Sequence, residues 1–190
     1  MSFVSIDMGN PAAMQRLLAG LSSFPKEQKA AQFKILRTVG KSARSYLVKM
    51  AMDRYRLKRK YAERSVSHPV VSQQPPSMKI YVRAEKSRHV TEFSGTGQTR
   101  KGVKVSVLKH GGRKLIPHAF IGQGRNSGKA IAFVRTGRGR YPLRAIYSTG
   151  GFQFLLRGES TDKLRSFVDD RIIRITMHEV EYRLRRMTKK

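Results

Sequence analysis

The 190-residue chain contains no cysteine, which excludes a disulfide framework and thiolate metal sites. Acid is scarce as well: 12 Asp and Glu face 40 Lys and Arg, for a formal net charge of +28. Residues 65–160 hold only three acids, Glu85, Glu92 and Glu159, against 17 basic side chains. None of the three is paired at a spacing that suits general acid–base work. The five histidines, His68, His89, His110, His118 and His178, form no ligand-spaced pair. No Gly-x-x-x-x-Gly-Lys-Ser/Thr segment occurs, and the Gly-x-Gly of "GQGRNSG" sits among strand-like stretches with no helix following, against a dinucleotide site. Long hydrophobic runs are missing too, since nothing approaches the roughly 20 apolar residues that cross a bilayer. The opening "MSFVSIDMGNPAAMQRLLAGLSSFP" lacks the charged start and continuous apolar stretch of a signal peptide. Catalytic residues, cofactors, metal ligands and membrane contact are therefore not expected.

What the chain does have is a core and an excess of cations. Hydrophobic residues make up 39% and charged ones 27%, too apolar for a disordered tail. Such a charge excess calls for an acidic partner, a nucleic acid or a crowded assembly to offset self-repulsion. The C-terminal block 161–190 mixes nine basic with five acidic residues, as a solvated helix does.

Periodicity divides the chain. In residues 26–54, Phe33, Leu36, Gly40, Ala43, Leu47 and Met50 recur at three- and four-residue steps, which predicts a long helix with one apolar face. Pro25 suits the first helical position, where its missing donor is not needed. "LKRKYAER", residues 57–64, predicts a short second helix, and the proline-rich "SHPVVSQQPPS", 67–77, a connector. The period then drops to two. "MKIYVRA" and "VKVSVLK" alternate as half-buried strands, "HGG" marks a hairpin before "KLIPHAFIG", and "AIAFVRT" and "YPLRAIYS" add further strands. A last helix is expected from about Thr161, capped by Ser160 or Thr161, with Leu164, Phe167, Val168, Ile172, Ile175 and Tyr182 on its apolar face. The expected fold class is α+β, with a long N-terminal helix and a C-terminal helix packed on a mainly antiparallel sheet. The organisation that follows is an arm over 1–25, an α+β domain over 26–160 (helices 26–64, sheet about 78–147) and a C-terminal helix over 161–190 packing on that domain.

Two basic clusters are the candidate sites. "RTGRGR" carries Arg135, Arg138 and Arg140; Arg144, and Arg125 and Lys129 of the neighbouring loop, extend it to one cationic edge. Forked guanidinium groups suit phosphate or carboxylate, so this edge fits a DNA backbone or an acidic protein surface. It equally fits a hairpin cap that merely faces water. The second cluster is Arg56, Lys58, Arg59, Lys60 and Arg64, a solvated helix end; the rival, a helix-turn-helix recognition helix, lacks two flanking helices of the right length. Neither has the interleaved aromatics of a single-strand stacking platform.

At residues 116–150 the sequence resembles the minor tail protein Z family of tailed bacteriophages, also described as tail completion proteins. Ala119, Phe120 and Ile121 match an apolar strand ending in Ala-Phe-Ile, and Arg135, Gly137, Arg138, Arg140, Pro142 and Leu143 match the Arg-x-Gly-Lys/Arg-x-Arg-x-Pro-Ile/Leu segment that comes next. His118 stands where the family commonly has glycine, and "YSTGGFQF" replaces its usual Gly-Pro-Ser ending. The resemblance implies a virion component at the head-proximal end of the tail, made and assembled in the host cytoplasm. It would complete the tail and join it to the head. Its implied form is a ring, of six subunits, around the DNA channel. Implied partners are copies of itself, tail terminator or tail tube proteins, head–tail connector or portal-side proteins, and genomic DNA through phosphate contacts. A sequence-independent nucleic-acid-binding protein of ribosomal or nucleoid type explains the charge as well, but not the paired motifs.

Overall fold

Alternation from a 3.6-residue period to two and back builds helices flanking strands, and the computed structural model has that order. It describes residues 3–7, 15, 19–22, 28–73, 76–83, 87–124, 128–150, 152–156 and 158–188. Three helices are α1 (Gln28–Arg54), α2 (Arg59–Ser65) and α3 (Gly158–Thr188), and residues 19–21 are helical as well. Among the described residues eleven strands pair antiparallel throughout, so the protein is α+β. Instead of one sheet, the strands form four small ones. The chain falls into two units, a helical one (Phe3–Leu47, Val66–Arg83, Leu155–Lys190) and a strand-rich one whose described part lies in Val48–Ser65 and Ala84–Phe154.

In the helical unit, β3 (Pro76–Arg83) lies between β1 (Phe3–Asp7) and β2 (Val70–Gln73). Met78, Ile80 and Val82 are fully buried while Lys79, Tyr81 and Arg83 are exposed, the alternation that "MKIYVRA" predicts. The connector expected over 67–77 holds β2 and the start of β3. Two of its prolines fall where a sheet tolerates a missing donor: Pro69 precedes β2, an edge strand, and Pro76 is the first residue of β3, while Pro75 lies outside the described residues. Within the segment read as an N-terminal arm, Phe3–Asp7 is a strand. Pro25 lies outside the described residues.

Helix α1 buries Ala31, Ile35, Leu36, Val39, Gly40, Ala43 and Leu47, a wider stripe than expected, with Phe33 and Met50 at its half-buried margins. Gly40 allows the helix to touch the sheet, because a Cβ there would stand 2.5 Å from Pro69 Cβ and 2.6 Å from Met78 Sδ. Helix α3 starts at Gly158, before the expected cap; the Thr161 hydroxyl instead donates to the Leu155 carbonyl at 3.0 Å. Leu164, Val168 and Ile172 are buried as expected, but the buried seam continues through Thr176 and Glu179, and Tyr182 is exposed. Four-residue steps drift around the helix, so a seam that begins at Leu164 passes Tyr182 by.

Two contacts show how α1 and α3 pack. Tyr46 and Phe167 stack at 4.0 Å, and Lys34 pairs with Glu179 at 2.8 Å. The two contacts lie twelve residues apart along each helix but in opposite order, so the helices run antiparallel over about 18 Å. Burial pushes the Glu179 carboxyl upward, yet hydrogen bonds and charge from Lys34 and then Arg183 outweigh it and hold the pKa below its usual 4.5. A depressed carboxylate stabilises the fold above its unfolded pKa, and that contribution disappears as pH falls through the folded value. Glu179→Gln should therefore lower stability near pH 7 by about 1.5–3 kcal/mol, the range for hydrogen bonds to charged groups. Urea melts of both proteins at neutral and acid pH check this: the gap should close in acid, and a gap constant with pH would refute it.

The strand-rich unit contains β4 (Ser87–His89), β5 (Gly97–Thr99), β6 (Gly102–Val105), β7 (Lys114–Pro117), β8 (Phe120–Gln123), β9 (Ala130–Arg135), β10 (Leu143–Ala145) and β11 (Tyr147–Thr149). Their sheets run β5-β6-β7, β8-β9-β10 and β4-β11. Val90, Val103, Val105, Ala119 and Ala132 form a core of small side chains. "KLIPHAFIG" is two strands, not one, because His118 takes φ 58°, a left-handed conformation that turns the chain between β7 and β8. "VKVSVLK" ends as a strand at Val105; Val107 and Leu108 turn aside to pair with Arg56 and Tyr55. "YPLRAIYS" divides at Ile146, which donates to the Ala132 carbonyl at 2.8 Å and accepts from the Val90 amide at 3.4 Å, linking two sheets. Beside α2, Leu57 bridges to Phe93 and both are buried. Arg88 is buried too, bonded to Glu92 at 2.7 Å and to the Ser65 hydroxyl. One of the few acids of this region is thus spent on the core.

Candidate functional site

The "RTGRGR" segment forms the connection between β9 and β10. Arg135 ends β9 opposite Leu143, and residues 136–142 form the loop. Thr136 closes it, its amide and hydroxyl both donating to the Pro142 carbonyl at 3.3 and 3.1 Å. Every side chain from Arg135 to Pro142 is exposed. The Arg135 guanidinium lies 5.2 Å from the Phe120 ring centre, and Phe120 in turn neighbours Phe133 at 6.0 Å. Arg135 is thereby seated on an aromatic pair. Arg140 lies 5.9 Å from the ring of Tyr141, itself exposed. Arg144 is exposed on β10, paired in register with Val134. Among the described residues, none of Arg135, Arg138, Arg140 and Arg144 forms an ion pair. Four guanidinium groups on one hairpin end therefore have their charge open to a partner.

Lys129 is not beside them. It lies in the β8–β9 connection, where its carbonyl accepts from the Gly124 amide at 2.9 Å, and β9 then runs six residues to Arg135. At about 3.3 Å per residue that is about 20 Å, so Lys129 and the arginine loop occupy opposite ends of the hairpin. Arg125 lies outside the described residues.

The second cluster is divided in its roles. Arg56 is half-buried, donates to the Lys109 carbonyl at 3.4 Å, and accepts from the Ser94 amide and hydroxyl through its own carbonyl at 2.7 and 3.0 Å. Lys58 donates to the Thr91 carbonyl at 2.9 Å. These two residues tie the chain between α1 and α2 to the 91–94 segment and to Lys109. Arg59 pairs with Glu63 at 2.7 Å one turn on, and Lys60 lies 5.1 Å from the Tyr61 ring. Arg59, Lys60 and Arg64 are exposed on α2.

A third cationic surface went unread in the sequence. Arg171 and Arg174, with the imidazole of His178 one turn on, line a groove of about 520 Å³ together with Thr38 and Lys34 of α1 and the Glu179 carboxylate that pairs with Lys34. The same steps that reveal apolar faces would have found it. Among the described residues, no cluster of three or more His, Asp or Glu side chains is arranged to hold a metal ion.

With this geometry in place, the comparisons are specific in one respect. The family model described as prophage minor tail protein Z (GPZ) matches residues 14–190, and the chain belongs to that family. It is accordingly a structural protein of the bacteriophage tail, located in the virion tail. No curated protein and no solved structure matches the chain.

Proposed function

We propose that this member of the minor tail protein Z family completes the tail at its head-proximal end and joins it to the head, as a subunit of a ring, of six copies, around the DNA channel. The observation that carries this reading is the β9–β10 loop, with exposed Arg135, Arg138, Arg140 and Arg144 and no ion pair among them. In that reading the loop meets a polyanion, either the DNA backbone or an acidic neighbouring subunit at the junction. Lys129 acts at the other end of the hairpin, and the exposed Arg59, Lys60 and Arg64 form a separate contact. Contacts to phosphate alone fix position without reading bases, which suits a conduit for any sequence. A ring of subunits at +28 each needs such counter-charge in its channel or its neighbours. Tail terminator or tube proteins on one side and connector or portal-side proteins on the other are the partners this position requires.

The test is complementation. Phage lacking the gene should yield heads and tails that sediment separately, and supplying the protein in trans should restore joined particles. Joined, infectious particles formed without the gene would contradict the proposal.

A further inference from the structure

Strands β7 and β11 each have a single partner, β6 and β4 respectively, leaving one edge of each without a ladder among the described residues. Both line one open groove of about 610 Å³. Its apolar lining includes Val107, Ile116 and Ile146, which pack directly on the core of the strand-rich unit. Leu108, Leu115 and Tyr147 at the same groove are 46%, 38% and 54% exposed. An exposed edge beside apolar surface is a template for strand addition, which proteins ordinarily blunt with charge, proline or a covering element. Here two strands with such an edge line one groove.

The charge at the groove says what enters it. Its lining holds one charged side chain, Lys114, and no acid. Lys109 and Arg113, exposed in the β6–β7 connection, add cations beside it, with Lys109 reaching Asp53 at 3.5 Å. A second copy of this chain would bring +28 to an already cationic rim. We propose that the groove between β7 and β11 receives an extended segment of another protein, with apolar and acidic side chains alternating, added as a strand. Main-chain bonds to the two edges would supply affinity, the alternate apolar side chains would fill the groove, and the carboxylates would meet the rim. The four residues of β7 set its paired length at about 13 Å. This inference does not depend on the arginine loop or on head joining.

Amide hydrogen exchange of the whole chain, measured by NMR, tests it. The probe is a heptapeptide alternating valine and glutamate. Two controls accompany it, the same peptide N-methylated at every second residue and a version with lysine for glutamate. The valine–glutamate peptide should slow exchange at least tenfold at those amides of Lys114–Ile116 and Tyr147–Thr149 that do not already donate within their ladders. Neither control should do so. In a chain carrying Leu115→Lys and Tyr147→Glu, shown by melting to be folded, the peptide should bind at least tenfold more weakly. No slowing, or no weakening in that variant, overturns the proposal. Equal slowing by the N-methylated peptide would mean apolar adhesion without a ladder, and by the lysine peptide would mean the charge argument is wrong. Slowing at raised protein concentration without peptide would make a second copy the occupant, and each of these outcomes also overturns it.

Discussion

Replacing Gly102 with alanine should destabilise the strand-rich unit more than the same change at any other glycine whose surroundings are described. Gly102 begins β6 at φ 146°, a backbone conformation that side chains rarely adopt. It faces Pro117 in register, and a Cβ would stand 2.1 Å from the Ile116 carbonyl oxygen. That oxygen belongs to the paired strand β7, so relief requires one strand to move from the other. The backbone strain alone is worth about 1–3 kcal/mol, and the clash brings the expected loss to the order of 3–4 kcal/mol. For a chain of this length that is a fall of about 10 °C in melting temperature. Gly97→Ala is the control from the neighbouring strand β5, where a Cβ meets nothing within 4 Å, and it should melt within a degree or two of the unaltered protein. Equal melting of the two variants would show that β6 and β7 do not approach each other this closely.

Gly102 also illustrates what the sequence displays and what it hides. The elements with one buried face were legible. Met78, Ile80 and Val82 alternate with exposed residues because one face of β3 is buried, and Leu36, Gly40, Ala43 and Leu47 recur because α1 lies on that face. The division into small sheets was not legible, because it depends on local turns within apolar runs. His118 at φ 58° and Ile146, bonded to both Ala132 and Val90, break stretches whose composition reads as continuous strand. Arg88 gave no sign of its burial, since a cation is ordinarily read as surface until its carboxylate one turn away, Glu92, is seen to pair with it. At the candidate site the loop itself was legible as a basic turn. Its grouping with Lys129 was not sound, since closeness in sequence across a six-residue strand means separation by the length of the strand. Glu179 shows the same limit in α3, where a polar residue continues a seam that apolar counting assigns to Tyr182.

The arginine loop carries the second large expected effect. Arg138 and Arg140 are exposed and make no ion pair among the described residues, and residues 136–142 are held by Thr136 and Pro142 rather than by the arginines. Changing both to alanine should therefore leave folding intact, with a melting temperature within a degree or two of the original. If the loop contacts phosphate or an acidic subunit, the double variant loses two forked, charge-assisted contacts in every copy. Repetition around a ring multiplies that loss, so the yield of joined particles should fall by at least tenfold. The remaining association should weaken further as salt is raised.

The measurement that bears most directly on the whole account is a count of joined head–tail particles when Arg138→Ala/Arg140→Ala replaces the unaltered protein in phage lacking the gene. The melting curve of the purified variant is recorded alongside. The account predicts unjoined heads and tails with an unchanged melting temperature. A normal yield of joined particles would make the loop a solvated cap and contradict the account. A collapse of joining accompanied by a sharp fall in melting temperature would contradict it as well, by making the two arginines part of the fold.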